Sequence, residues 1–263
     1  VPYHGKKVFG TFVCGGGSTM GYKLAGYEHL GGVEFTEHYS KVYKYNHKPK
    51  HFYLEDIREF NKRTDLPKEL YELDMLDGSP PCAAFSTAGA REKNWGKSKD
   101  YEGIKQVKVY VYCETIEKLK PKVFLLENVS GLAKGNAKVY LKKVVEILSK
   151  DYNVQVFLLY AASMGIPQIR NRIFVIGHKK EFKLPKLEMN FDVPQLGFEV
   201  TKKYWDIPID KSTDITNYSL NQLWDEVKVG EAHKQRFNLC KPHLKKPAYT
   251  VVESTSNISS ASI

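Results

Sequence analysis

The sequence predicts an α/β fold: a doubly wound, mostly parallel sheet with helices on both faces, followed by a second, smaller lobe. Three observations carry this expectation. Short apolar stretches alternate with helical ones from residue 7 to residue 179. A glycine-rich turn closes the first of those stretches, where an open α/β sheet takes its ligand. Beyond about residue 180 the chain turns to proline-punctuated sequence with little helical periodicity.

Taken in order, KVFGTFVC (7–14) reads as a buried strand, Gly15 to Gly17 open a turn, and Thr19 to Gly26 suit a short helix. HLGGVEF (29–35) and HFYLEDI (51–57) read as the next two strands, with a helical stretch between them. LYELDML (70–76) reads as a fourth strand, ending at a Pro-Pro-Cys turn. A loop rich in glycine and basic residues follows (89–103), with Trp95 at its middle. Residues 104–120 fit a helix, 122–129 a strand and 136–150 a helix, and 153–161 and 172–179 complete the strands. Residues 1–180 are read as one domain and 181–263 as another.

The 263 residues are enough for a sizeable core, and 27% charged against 42% hydrophobic residues is ordinary for a soluble globular protein. No apolar stretch approaches the length that spans a bilayer, and no signal-peptide pattern opens the chain. Cys14, Cys82, Cys113 and Cys240 form no C-x-x-C pair, so neither a zinc site nor a disulfide framework is expected. The expected setting is a reducing cytoplasm, without membrane or metal. The net charge of +10 is uneven: residues 181–263 hold 11 Lys+Arg and 11 Asp+Glu, so residues 1–180 carry the whole excess. Such a basic part points to a polyanionic partner, nucleic acid first.

The turn FVCGGGSTMGYKLAG (12–26) matches neither G-x-G-x-x-G nor a phosphate loop, which leaves a nucleoside-type ligand without a pyrophosphate. Glu34 ends the second strand, where a carboxylate grips ribose hydroxyls, and Phe35 beside it offers a face to a purine. Asp56, in the third strand end, is placed to accept from an exocyclic amine. A carboxylate at a strand end is often only a solvated cap, and Pro-Pro-Cys alone is often only a turn with a packed thiol.

Four stretches in order resemble the motifs of the cytosine-5 DNA methyltransferases: FVCGGGSTMGYKLAG, GSPPCAAFSTAG (78–89), FLLENVSGL (124–132) and GIPQIRNRIFVIG (165–177). The resemblance implies a Rossmann-like methyltransferase core, with S-adenosylmethionine as cofactor and double-stranded DNA as partner. It implies Phe12, Gly16, Gly17, Glu34, Phe35, Asp56, Ile57 and Pro81 at the cofactor. Cys82 is implied as nucleophile, Glu127 at the cytosine's Watson–Crick edge, Arg172 at its carbonyl oxygen and Arg170 in support. It implies base flipping, with Ser86, Arg91, Lys93, Lys97 and Lys99 of the loop meeting DNA. The later lobe would recognise the target, and it reads as incomplete at its C-terminus because the family's closing Gly-Asn-rich motif does not occur in these 263 residues. Cys14 stands where the family has the first glycine of its cofactor motif, and Ala83 where glutamine is common.

The resemblance further implies a monomer in a restriction-modification setting, at the nucleoid in bacteria or phage and in the nucleus in eukaryotes. A transfer-RNA methyltransferase and a catalytically inactive DNA-binding relative remain open as alternatives.

Overall fold

The computed structural model describes residues 2–81, 108–189, 193–204, 219–234 and 239–250. Its described strands form a mostly parallel seven-stranded sheet of order β3-β2-β1-β4-β5-β7-β6. The strands are β1 (Lys7–Thr11), β2 (Glu28–Glu34), β3 (His51–Leu54), β4 (Met75–Gly78), β5 (Val123–Val129), β6 (Tyr152–Tyr160) and β7 (Asn171–Lys179). Pairings of β1 with β2 and β4, β2 with β3, and β4 with β5 are all parallel. Strand order reverses between β1 and β4, and the loops leaving those two strands frame the crevice where such sheets bind ligands.

The helices are α1 (Gly17–Leu24), α2 (Glu37–His47), α3 (Ile57–Lys62), α4 (Lys108–Leu119), α5 (Lys138–Leu148) and α6 (Ser219–Glu226). Helix α2 buries Ser40, Tyr43 and His47, three or four residues apart, so one stripe of an otherwise polar helix faces the sheet. Helix α5 does the same with Leu141, Val144 and Leu148, whereas α4 is buried nearly all round. The core runs through Phe9, Leu30, Phe60, Leu76, Ile116, Phe124 and Leu126, with Phe9 and Phe60 stacked 5.8 Å apart.

Two local readings of the sequence change. The stretch expected as a strand over 70–76 is a 3-10 helix (Lys68–Tyr71) followed by β4 from Met75. Pro67 opens that turn, and Leu70, Leu73 and Leu76 are buried at a spacing of three, a helical-turn period rather than an alternating one. Strand β3 stops at Leu54 because Asp56 caps α3, its carboxylate accepting from the Arg58 N–H at 2.9 Å.

By internal contacts the chain forms two compact units. One holds the described residues of 1–158 and Ile173–Glu188, and the other gathers the described residues of Leu159–Arg172 and of Met189–Ile263. Relative to a single cut at 180, the segment Leu159–Arg172 thus groups with the later part. Within that second unit, the Ile169 N–H donates to the Ala248 carbonyl at 2.7 Å and the Ala248 N–H to that of Pro167 at 2.9 Å.

Candidate active site

At the end of β1 the backbone bends sharply, with Phe12 (φ 56°), Cys14 (φ 46°) and Gly16 (φ 89°) all left-handed. Two non-glycine residues in that region store strain, which the surrounding contacts must hold. Glu34, only 6% exposed at the end of β2, supplies one of them. Its Oε2 accepts from the Cys14 N–H at 2.8 Å and its Oε1 from the Thr36 N–H at 2.7 Å. Each oxygen then has acceptor capacity left, suited to the two hydroxyls of a ribose.

Beneath the loop, the His47 ring packs against Gly16, and burial with nearby Lys23 holds its imidazole below its usual range. A Cβ on Gly16 would lie 2.2 Å from His47 Nε2, so only glycine fits. A Cβ on Gly17 would meet nothing within 4 Å, so the space over that residue is open to a ligand.

Phe35 is 72% exposed, its ring available for stacking, while Phe12 packs half-buried against the core. Asp56 is engaged with Arg58 and Lys108, and the Arg58 guanidinium, aided by Lys108, holds its carboxyl well below the usual range. Ile57 is buried, which leaves its main chain for any ligand contact.

The second loop leaves β4 as Gly78-Ser79-Pro80-Pro81. Asn128, 3% exposed on β5, donates its side-chain N–H to the Pro80 carbonyl at 3.2 Å, while its Oδ1 accepts from the Val129 N–H at 2.9 Å. The Tyr112 hydroxyl of α4 lies 3.0 Å from the Leu76 carbonyl and 2.8 Å from that of Leu125, pinning β4 to β5 from below. Gly78 leaves room for that ring, since a Cβ there would lie 2.4 Å from it. Pro81 is exposed at the start of the turn. Cys82, Ser86, Arg91, Lys93, Trp95, Lys97 and Lys99 lie outside the described residues.

Glu127 stands half-buried near the end of β5. Arg170 and Arg172 belong to the other compact unit, at the entry to β7, and Arg172 Nη1 donates to the Asn171 carbonyl at 2.8 Å. The structure therefore gathers Phe12, Gly16, Gly17, Glu34, Phe35, Pro81 and Glu127 at the strand ends of one unit. Asp77, Asn128 and His47 were given no role from sequence. Asn128 sits inside a stretch that was read as a motif and Asp77 directly before one, and His47 had no signal beyond its place on the buried stripe of α2. A cavity of about 400 Å³ lies elsewhere, at the C-terminal ends of α4 and α5, lined by Ile116, Lys120, Leu148 and Tyr152 among others. Among the described residues, no group of His, Cys, Asp or Glu is arranged to hold a metal ion. Nor is any described helix long and apolar enough to cross a membrane.

Comparison with known families places these loops in context. The model of the C-5 cytosine-specific DNA methylases matches residues 7–258. The chain belongs to that family.

Among its curated relatives, the Type II methyltransferase M.FnuDI of Fusobacterium nucleatum is 32% identical over 208 residues, covering 76% of this chain and 55% of the relative. M.NgoPII of Neisseria gonorrhoeae is 30% identical over 197 residues, covering 73% and 52%. The chain thus spans about half the length of these relatives. Two solved structures share the fold: the Entamoeba histolytica methyltransferase EhMeth (TM-score 0.60, 15% identity, 98% of this chain and 79% of that one) and the S. pombe Dnmt2 methyltransferase (0.58, 16%, 95% and 77%). Family membership accounts for the order of the motifs along the chain, and the fold it brings agrees with the sheet described above.

Proposed function

We propose that this C-5 cytosine methylase family member transfers a methyl group from S-adenosylmethionine to carbon 5 of a flipped-out cytosine in double-stranded DNA. The observation that carries the reading is positional. The strained glycine loop with Glu34, and the turn that leads to Cys82, leave adjacent strands at the point where strand order reverses.

The residues suit the cofactor: a buried carboxylate with spare acceptor capacity for a ribose, an exposed Phe35 ring for adenine, and open space over Gly17. Asp56 and the main chain of Ile57 would meet the adenine edge. When bound, S-adenosylmethionine supplies an electrophilic methyl group. The chain's own residues make the cytosine reactive towards it. The Cys82 thiolate bonds to carbon 6, and the electron pair of the ring double bond becomes available at carbon 5. Glu127, as the acid, hydrogen-bonds ring nitrogen 3 and takes up the charge that develops, with Arg172 at the carbonyl oxygen and Arg170 behind it. After methylation, loss of the carbon 5 proton restores the double bond and releases the thiolate.

The base must leave the duplex for this attack. The loop 89–103, with Arg91, Lys93, Lys97 and Lys99, would close over it, assisted by Ser86, its cations on phosphates. The later unit would choose the sequence. The test is methyl transfer from labelled cofactor into duplex DNA, followed by hydrolysis to nucleosides. Label in 5-methylcytosine is expected; label only on RNA, or none with a protein that binds the cofactor, would overturn the reading.

A further inference from the structure

Asp56 caps α3 with a side chain 17% exposed, and every acceptor position of its carboxylate is in use. Oδ1 accepts from the Arg58 N–H and from Arg58 Nε, both at 2.9 Å. Oδ2 accepts from Arg58 Nη2 at 3.1 Å and from the Nζ of Lys108, the first residue of α4. A carboxylate takes about four donors, so the exocyclic amine of an adenine finds no spare lone pair there. The Arg58 guanidinium, aided by Lys108, also holds the carboxyl well below the usual range, so it stays ionised and attractive to a donor.

An arriving amine must therefore displace a donor, and the two cations are not equally displaceable. Arg58 is two residues away, grips both oxygens with its planar fork, and supplies the N–H that the cap satisfies. Lys108 reaches across from another helix, 52 positions along the chain, with one ammonium on a flexible stem. Its side chain is 26% exposed, so the ammonium can turn to water without disturbing its surroundings. Nor do α3 and α4 depend on that bridge for their packing. Asn61 Nδ2 donates to the Val111 carbonyl at 3.1 Å, the Thr115 hydroxyl to Asn61 Oδ1 at 2.9 Å, and Lys118 Nζ to the Asn61 carbonyl at 2.8 Å.

We propose that Lys108 is a specificity-determining residue of the cofactor site: it holds Asp56 Oδ2 until the adenine amine of the cofactor takes that oxygen over. This deepens the cofactor reading given above and rests on it. The exchange is open only to a ligand with a donor. An amine regains at Asp56 what the protein gives up with Lys108, whereas a purine without one gains nothing there and leaves the ion pair closed. Lys108 therefore weakens the binding of adenine-bearing ligands and narrows the gap between them and ligands that lack the amine.

The test is calorimetric binding of two ligands to the whole chain: S-adenosylhomocysteine, and its analogue with hydrogen in place of the adenine amine. K108M keeps the apolar stem and removes the donor. It should tighten S-adenosylhomocysteine about fivefold, the upper end for an exposed ion pair, and leave the analogue within about twofold. D56N keeps one oxygen for the Arg58 N–H, and so keeps the helix cap, but turns the other acceptor into a donor. In D56N the preference for the amine should be lost, and adding K108M should then shift neither ligand by more than about twofold.

An equal change for both ligands in K108M would mean a merely structural lysine, and a selective weakening of S-adenosylhomocysteine would mean that Lys108 supports the adenine. Either result overturns the proposal, as does a K108M effect that survives on the D56N background. Thermal melting confirms that the variants compared are folded, and if D56N is not, the two-ligand comparison in K108M decides alone. If the unaltered protein binds neither ligand, the cofactor reading itself fails. If it binds S-adenosylhomocysteine and K108M leaves the ratio of the two affinities unchanged, only the role of Lys108 fails.

Discussion

Glu34 works twice in this structure. Its oxygens hold the Cys14 and Thr36 amides, and so hold a left-handed Cys14 in place, before any ligand arrives. Glu34→Ala should therefore weaken S-adenosylmethionine by about 1.5–3 kcal/mol, the range for hydrogen bonds to a charged group. Calorimetry reads this directly, and unchanged affinity would remove Glu34 from the cofactor site. Asp77 carries a stability cost of its own. Burial pushes its carboxyl up to about 6 from an ordinary 3.8, so the folded state holds the proton more tightly than the unfolded chain does. Its contribution is most favourable below about pH 4 and is lost as pH rises to about 6, a change of roughly 3 kcal/mol at about 1.36 kcal/mol per unit. Asp77→Asn should melt higher than the unaltered protein at pH 8, and the gap should close by pH 4. A lower melting point for the variant at pH 8 would contradict this. A residue kept at such a cost is a candidate for function rather than for folding.

At the scale of elements, the turn after β4 is held from both sides. Asn128 of β5 satisfies the Pro80 carbonyl, and the Thr11 hydroxyl of β1 donates to the Asp77 carbonyl at 3.1 Å. Asn128→Ala leaves the Pro80 carbonyl without its side-chain donor and should cost about 1–3 kcal/mol of stability. It should also slow adduct formation while leaving cofactor affinity within about twofold, since the glycine loop does not touch Asn128. Equal loss of both would show that the two loops move as one. The strands and helices were legible because their periodicities differ: His51–Leu54 is β-rich, whereas Ser40, Tyr43 and His47 mark a helical stripe. The 3-10 helix at Lys68–Tyr71 was not legible as such. Three leucines at a spacing of three, interrupted by acidic residues, satisfy a short strand pattern nearly as well.

For the molecule as a whole, the strand reversal between β1 and β4 brings together sequences more than 60 residues apart. The motif order and the glycine turn foretold the sheet. They did not foretell that Asp77 and Glu127 share a face, because strand register is a product of pairing and is not written in either strand alone. Nor did they foretell that Arg170 and Arg172 would group with the later unit, since that division depends on contacts with residues some 80 positions further on.

The central claim is that Cys82 adds to carbon 6 of cytosine, and one measurement tests it directly. Duplex DNA with 5-fluorocytosine at the target should accept the methyl group and then stall, because fluorine cannot leave carbon 5 as a cation. The protein should remain attached through denaturing electrophoresis, only when S-adenosylmethionine is present. Cys82→Ser should abolish the adduct, since a hydroxyl is a far weaker nucleophile at neutral pH than a thiol. Cys14, Cys113 and Cys240 should each tolerate alanine without losing it. The burial that pushes the Cys113 thiol up to about 12 leaves it un-ionised and inert. Peptide mapping of the adduct to Cys82 is the predicted result; an adduct on another cysteine, or trapping that persists in the Cys82→Ser protein, would contradict the account.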